Sequence, residues 1–269
     1  MHVSRKRNDP AQYDDLAAQW WDPRGAFVML HWLAAARGAL VPVAAGDAVL
    51  VDLGCGAGLL APHVAGKGYR HVGVDVTASA LAQARAHGVA PVRGSVTQVP
   101  LRDGCADVVV AGEILEHVTD LPAAVAEACR LLRPGGLLVI DTIAATALAR
   151  LVAIRLAERL PAVPKGIHDP DLLVDRTVMI RECARHGVEL TLRGIAPSVP
   201  DLARWLVRRL DTVRMASVPT TAILFQAVGR KAVTIQHSTA GRGAAERQRG
   251  GVVTELARSP FNTAPPGAS

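Results

Sequence analysis

Aromatic residues are scarce in this chain. Phe, Trp and Tyr together make up 3% of the 269 residues, so a core must be assembled mainly from Ala, Val and Leu, which suits a parallel sheet covered by helices. Cysteine is equally thin. Cys55, Cys105, Cys129 and Cys183 show neither CxxC pairing nor metal-ligand spacing, which excludes a zinc ribbon or a disulfide framework and leaves reduced structural thiols. No run of about 18 uncharged apolar residues exists to span a bilayer; the best stretch, 136–154, is broken by Asp141 and Arg150. The opening MHVSRKRNDP carries charge with no apolar segment behind it, unlike a secretory signal. The expectation is a soluble, cytoplasmic protein.

What is present is an ordinary globular mixture, 50% hydrophobic and 20% charged, with a formal net charge of +6. The basic residues cluster at Arg150, Arg155, Arg159 and Lys165, and again at Arg204, Arg208, Arg209 and Arg214, within apolar helical stretches. Two meanings stay open: a solvated helix face, or a surface that touches anionic lipid and holds the protein peripherally at the inner membrane face. Nucleic acid is not an expected partner, because aromatic interleaving, zinc spacing and RNA-binding signatures are all missing.

Short apolar runs alternate with helical stretches from Ala48 onward. AVLVDL (48–53), RHVGVD (70–75), PVRG (91–94), ADVVVAG (106–112), GLLVIDTI (136–143), VELTLRGI (188–195) and TTAILFQAVGR (220–230) predict seven strands. The β-α alternation predicts an α/β, doubly wound, Rossmann-like fold with a mostly parallel sheet and an antiparallel last strand. A helical cap over 1–47 precedes the domain at 48–230, a lid insertion occupies about 145–175, and 231–269 is predicted to be a disordered tail.

The most informative stretch is VLVDLGCGAG (49–58). Gly54, Gly56 and Gly58 follow the first strand and are predicted to open a helix, where the chain must turn tightly and let a ligand approach its backbone. The spacing is GxGxG rather than the GxGxxG of NAD-binding loops, and Asp52 ends the strand before it. Loop amides and the helix N-terminus suit the methionine carboxylate of S-adenosylmethionine. Asp75 ends the second strand about 20 residues on, placed to accept both ribose hydroxyls. The turn in LLRPGGLLVI (131–140) adds a feature typical of class I methyltransferases.

Rarer elements narrow this further. Trp20-Trp21-Asp22-Pro23 with Gly25, Phe27, Leu30 and His31, then EILEHV (113–118), then PKGIHD (164–169) resemble the bacterial and mitochondrial ubiquinone-biosynthesis O-methyltransferases, over roughly residues 10–229. That resemblance implies methylation of a phenolic hydroxyl on a polyprenylated ring, with cofactor contacts at Arg37, Gly54, Asp75 and Gly112. It also implies a divalent cation, Mg²⁺ or another, on Glu113, Glu116 and His117, whose i, i+3, i+4 spacing fits one helix face. Ala34-Ala35-Ala36, Ala144-Ala145 and Pro170 depart from the family pattern and leave the acceptor open between a quinone precursor and a soluble phenolic. An inactive cofactor-binding regulator is the reading from another class, opposed by the presence of Glu113, Glu116, His117 and His168. His117 is the first candidate for the base that activates the acceptor, and His168, on the lid loop, the second.

Overall fold

The computed structural model describes residues 6–44, 46–159 and 164–233. The predicted tail from 234 onward and part of the loop after the lid helix (160–163) lie outside those residues. The fold up to Ala232 is one unit. Its centre is an eight-stranded sheet in the order β3-β2-β1-β4-β5-β8-β6-β7. The strands are β1 (Ala48–Leu53), β2 (Tyr69–Asp75), β3 (Ala90–Arg93), β4 (Ala106–Gly112), β5 (Leu132–Ile143), β6 (Val188–Pro197), β7 (Met215–Val218) and β8 (Leu224–Lys231). From β3 through β5 every neighbouring pair is parallel, and β8 runs antiparallel between β5 and β6.

Seven strands are predicted and eight are found among the described residues. The addition is β7, paired antiparallel with β6 from Gly194↔Val218 to Pro197↔Met215, so two strands, not one, oppose the parallel set. Its four residues are half-buried or exposed, and an edge strand without an apolar alternation leaves little trace in sequence. The fifth strand also starts early, at Leu132. Ala106 pairs with Leu132 but Val108 with Leu137, so the RPGG turn is a bulge inside the strand.

The central strands form because Val, Leu and Ile runs can be buried on both faces. Leu50, Val51, Val109, Val110, Leu138 and Val139 are fully inaccessible, and each such side chain contributes about 1.5–3 kcal/mol of transfer free energy. Helix α5 (Leu121–Leu131) starts where the Asp120 side chain accepts the amide of Ala123, and it buries Ala124, Val125, Ala128 and Cys129. Helix α7 (Arg176–Arg185) is capped by Asp175 and adds Met179 and Cys183 to the same core.

The elements that surround the site come from the ends of the chain. Helices α1 (Ala11–Asp15) and α2 (Val28–Gly38) form the cap, with Trp20 and Phe27 between them stacked at 4.0 Å. Two further short helices, α3 (Ala61–Val64) and α4 (Ala78–Ala86), follow β1 and β2. The segment predicted as a lid begins as α6 (Ala147–Ala149), widens into a π-helix over Arg150–Leu156, and tightens to a 3-10 turn at Ala157–Arg159. Among the described residues, no helix is long and apolar enough to cross a membrane.

Candidate active site

The carboxyl ends of β1, β2 and β4 converge on a cavity of about 1090 Å³, counting its open mouth, lined by the glycine loop, Asp75, Trp20 and His117. That is room for a nucleoside with a second small molecule beside it. Gly54 and Gly56 line this cavity with φ of +67° and +51°. Only glycine takes that backbone without strain. A Cβ on Gly56 would also sit 2.7 Å from the Trp20 ring, so the indole forms a roof directly on the loop.

Two expectations about the loop change. The helix predicted from Gly58 opens only at Ala61, after two tight turns, and has four residues; the loop amides, not a helix dipole, are what a carboxylate would meet. Gly58 is not part of the cavity wall. It lies against α4, where a Cβ would come 3.1 Å from the Ala84 backbone.

Asp75 lines the cavity and braces the loop at once. Its Oδ2 accepts the Gly56 amide at 2.9 Å and its Oδ1 the Thr77 amide at 2.8 Å. Burial raises its pKa, and those backbone donors pull it back. Its remaining lone pairs suit a vicinal diol. Asp75→Ala should weaken S-adenosylmethionine binding by about 1–3 kcal/mol, read by calorimetry; unchanged affinity would remove Asp75 from the cofactor site. Asp52 is buried on the same wall, with Oδ2 3.4 Å from His71 Nε2.

Arg37 is where the structure differs most from expectation. The resemblance implies a cofactor contact for it, yet Nε and Nη2 already grip both oxygens of Asp141 at 2.6 and 2.8 Å. Nη1 is the nitrogen left to a ligand. Both partners are buried. Burial opposes the Arg37 charge, but Asp141, Asp52 and Glu113 more than offset it and raise its pKa. Gly112 gives this pair its space: a Cβ there would lie 1.8 Å from Arg37 Cζ. Asp141 was missed in sequence although it carries the same signal as Asp52 and Asp75, an acid near the end of a buried strand.

Beyond Gly112 the chain turns through Glu113, at φ +51°, into the short 3-10 turn Leu115–His117. Burial, then the charges of Glu116 and Asp141, push the Glu113 carboxyl well up; burial pushes Glu116 up to about 7 against a 2.7 Å bond from Thr142 Oγ1. Oε1 of each glutamate meets no donor among the described residues, and the two carboxyls lie close enough to share a proton. His117 packs against His168, ring centroids 5.2 Å apart. Burial, reinforced by the neighbouring His168, lowers His117 to about 3. Burial lowers His168 to about 4 despite Glu158. Both imidazoles are therefore neutral at neutral pH. Asn8 and Tyr13, which no sequence pattern marked, touch His117 through Oδ1 at 2.6 Å and the phenol oxygen at 3.3 Å.

The donor set fits a divalent cation in part as expected. Glu116, His117 and His168 each offer a ligand atom within 4.8 Å of the others, while Glu113 stands outside that group. A carboxylate oxygen that meets no donor is what a cation would satisfy.

Comparison with known proteins agrees with this site. A methyltransferase-domain family matches residues 51–140. The ubiquinone biosynthesis O-methyltransferase of Cupriavidus pinatubonensis is 36% identical over 202 residues, covering 70% of this chain and 81% of that protein. The chain belongs to this family of methyltransferases. The ubiquinone biosynthesis O-methyltransferase of Acinetobacter baumannii is 32% identical over 232 residues, 79% of this chain and 95% of its own. Among solved structures, a SAM-dependent methyltransferase of Thermotoga maritima superposes with a TM-score of 0.55 at 18% identity, covering 76% of this chain and 92% of that one. A Bacillus halodurans methyltransferase gives 0.53 at 17%, covering 74% and 99%. Those two likenesses concern the fold. The chain is an S-adenosylmethionine-dependent methyltransferase.

Proposed function

We propose that the chain transfers a methyl group to the phenolic or catechol hydroxyl of a prenylated, quinone-type precursor. One observation carries this reading. A neutral, half-buried imidazole stands on the cavity wall with a phenol oxygen, that of Tyr13, already 3.3 Å away. Burial, with the charge of Glu116, keeps the Tyr13 phenol protonated, so that site accommodates a neutral phenol against a neutral base. The relatives' name, ubiquinone biosynthesis O-methyltransferase, supports the same acceptor class.

S-adenosylmethionine, when bound, supplies an electrophilic methyl on a sulfonium. The chain's own work is to orient and deprotonate. The loop amides and Asp75 hold the nucleoside, Trp20 roofs it, and His117 takes the hydroxyl proton of the acceptor at a ring nitrogen. Alignment of this kind can contribute roughly 7–11 kcal/mol to the rate in favourable cases. A second reading is favoured by the glutamate oxygens that meet no donor: Glu116, His117 and His168 would hold a divalent cation, which would lower the acceptor's pKa.

The acceptor reaches the site from a membrane surface. Leu148, Leu151 and Leu156 are each 45% exposed on the lid, among the exposed Arg150, Arg155 and Arg159. Val199, Leu206 and Val207 are more than 60% exposed on or just after helix α8 (Val199–Leu206), beside Arg204, Arg208 and Arg209. Arg214 and, at longer range, Arg204 pair with Asp201, at 2.7 and 3.9 Å. Apolar side chains ringed by arginine suit an anionic lipid interface.

Labelled S-adenosylmethionine should be turned over against prenylated catechols, faster with anionic vesicles. Equal rates on unprenylated phenols without vesicles would replace the acceptor with a soluble one. Loss of activity with chelator would favour the cation over the base.

A further inference from the structure

Asn8 is held in an unusual backbone conformation at a place where three parts of the molecule meet. Its φ is +59°, a region that asparagine enters more readily than other non-glycine residues. Its amide N–H donates to the Gly166 carbonyl of the lid loop at 3.0 Å. Its side chain reaches across to His117 with both ends: Nδ2 lies 2.9 Å from the His117 carbonyl oxygen, and Oδ1 lies 2.6 Å from His117 Nδ1.

These two contacts settle the proton positions by donor and acceptor logic. A carbonyl oxygen only accepts, so the amide end facing it must be the NH₂ group. The other end is therefore Oδ1, which also only accepts, and so Nδ1 of His117 must carry the ring hydrogen. In a neutral imidazole Nε2 is then bare. Tyr13 Oη, 3.3 Å from Nε2, must be the donor in that pair.

We propose that Asn8 is a positioning residue for His117: it holds the imidazole in the Nδ1–H tautomer and leaves Nε2, on the Tyr13 side, as the atom that takes the acceptor's proton. This rests on the role given to His117 above and names the atom and the residue that prepare it. A fixed tautomer matters because the wrong one turns an N–H toward the hydroxyl it should deprotonate, and an oriented partner on the far nitrogen prevents that.

Asn8 also joins this preparation to closure of the site. Arg7, one residue earlier, donates from Nη1 and Nη2 to both Glu158 oxygens at 2.8 Å and from Nη1 to the His168 carbonyl at 2.8 Å. Glu158 in turn accepts the Gly166 amide at 3.1 Å. The segment Arg7–Asn8 is thus a strap fastened to the lid, and His117 is in its productive tautomer when the strap is seated.

The test compares full-length protein with Asn8→Gly and Asn8→Asp. Glycine accepts the positive φ and deletes only the amide; aspartate keeps an acceptor facing Nδ1. Nitrogen-15 spectra of histidine-labelled protein, with His117→Gln identifying the signal, read the tautomer directly. Wild type should show Nδ1 protonated, Asn8→Gly a shift towards a tautomer mixture, and Asn8→Asp the wild-type pattern. Asn8→Gly should lower kcat by about 10–100-fold with the KM for S-adenosylmethionine little changed, and Asn8→Asp, which restores the acceptor at Nδ1 but sets an oxygen against the His117 carbonyl, should recover part of it. Protonated Nε2 in wild type, an unmoved tautomer in Asn8→Gly, or an unchanged kcat would each overturn the assignment. The spectra need no acceptor, so failure of the methylation reading alone would leave them standing.

Discussion

Replacing His117 by alanine should lower turnover by about 10²–10⁴-fold, the range of a lost general base, while the affinity for S-adenosylmethionine stays close to that of the wild type. The separation follows from placement. The proposed cofactor wall is built by β1, the loop and β2, whereas His117 projects from the turn after β4. The substitution removes the only ring facing both Asn8 and Tyr13 among the described contacts, and it deletes no loop amide. Single-turnover assays with labelled cofactor, beside calorimetry on the same preparation, read the two quantities separately. Unaltered turnover would reject the role.

The second large effect concerns stability. Gly112→Ala adds one methyl, and at the end of a strand that change ordinarily stabilises by about 0.5–1 kcal/mol. Here the sign reverses. The new Cβ would stand 1.8 Å from Arg37 Cζ and 2.2 Å from Nε, and the guanidinium cannot move aside without releasing both Asp141 oxygens. An Asp141 left buried without its partner costs about 3–5 kcal/mol, a large fraction of the roughly 5–15 kcal/mol that holds a domain folded. Denaturant unfolding should show the midpoint fall sharply. A midpoint equal to wild type would mean that the pair relocates freely.

The sheet was legible because the central strands are unbroken runs of Val, Leu and Ile, a pattern imposed by burial on both faces. β7 was hidden because a half-exposed edge strand is under no such demand. The cavity wall formed by the glycine loop and Asp75 followed from local chemistry: glycine spacing and an acid at a strand end are both statements about a few adjacent residues. What sequence left dark was long-range. Arg37 and Asp141 are 104 residues apart, Asn8 and His117 are 109 apart, and no local pattern reports that a fork will close on a particular carboxylate. Arg37 was legible as a functional arginine but not as one already engaged. His168 was read from its lid motif, and its stacking on His117 appears only when the loop folds over the turn.

The Arg7–Glu158 pair has one further consequence. Arg7 is 43% exposed, and a bridge so open to water contributes only about 0–1 kcal/mol. That bridge is therefore the minor part of the fastening, beside the Asn8 amide on the Gly166 carbonyl and the Gly166 amide on Glu158. Added salt should screen the ion pair and leave the Asn8–Gly166 backbone bond in place, so ionic strength tunes this corner only weakly.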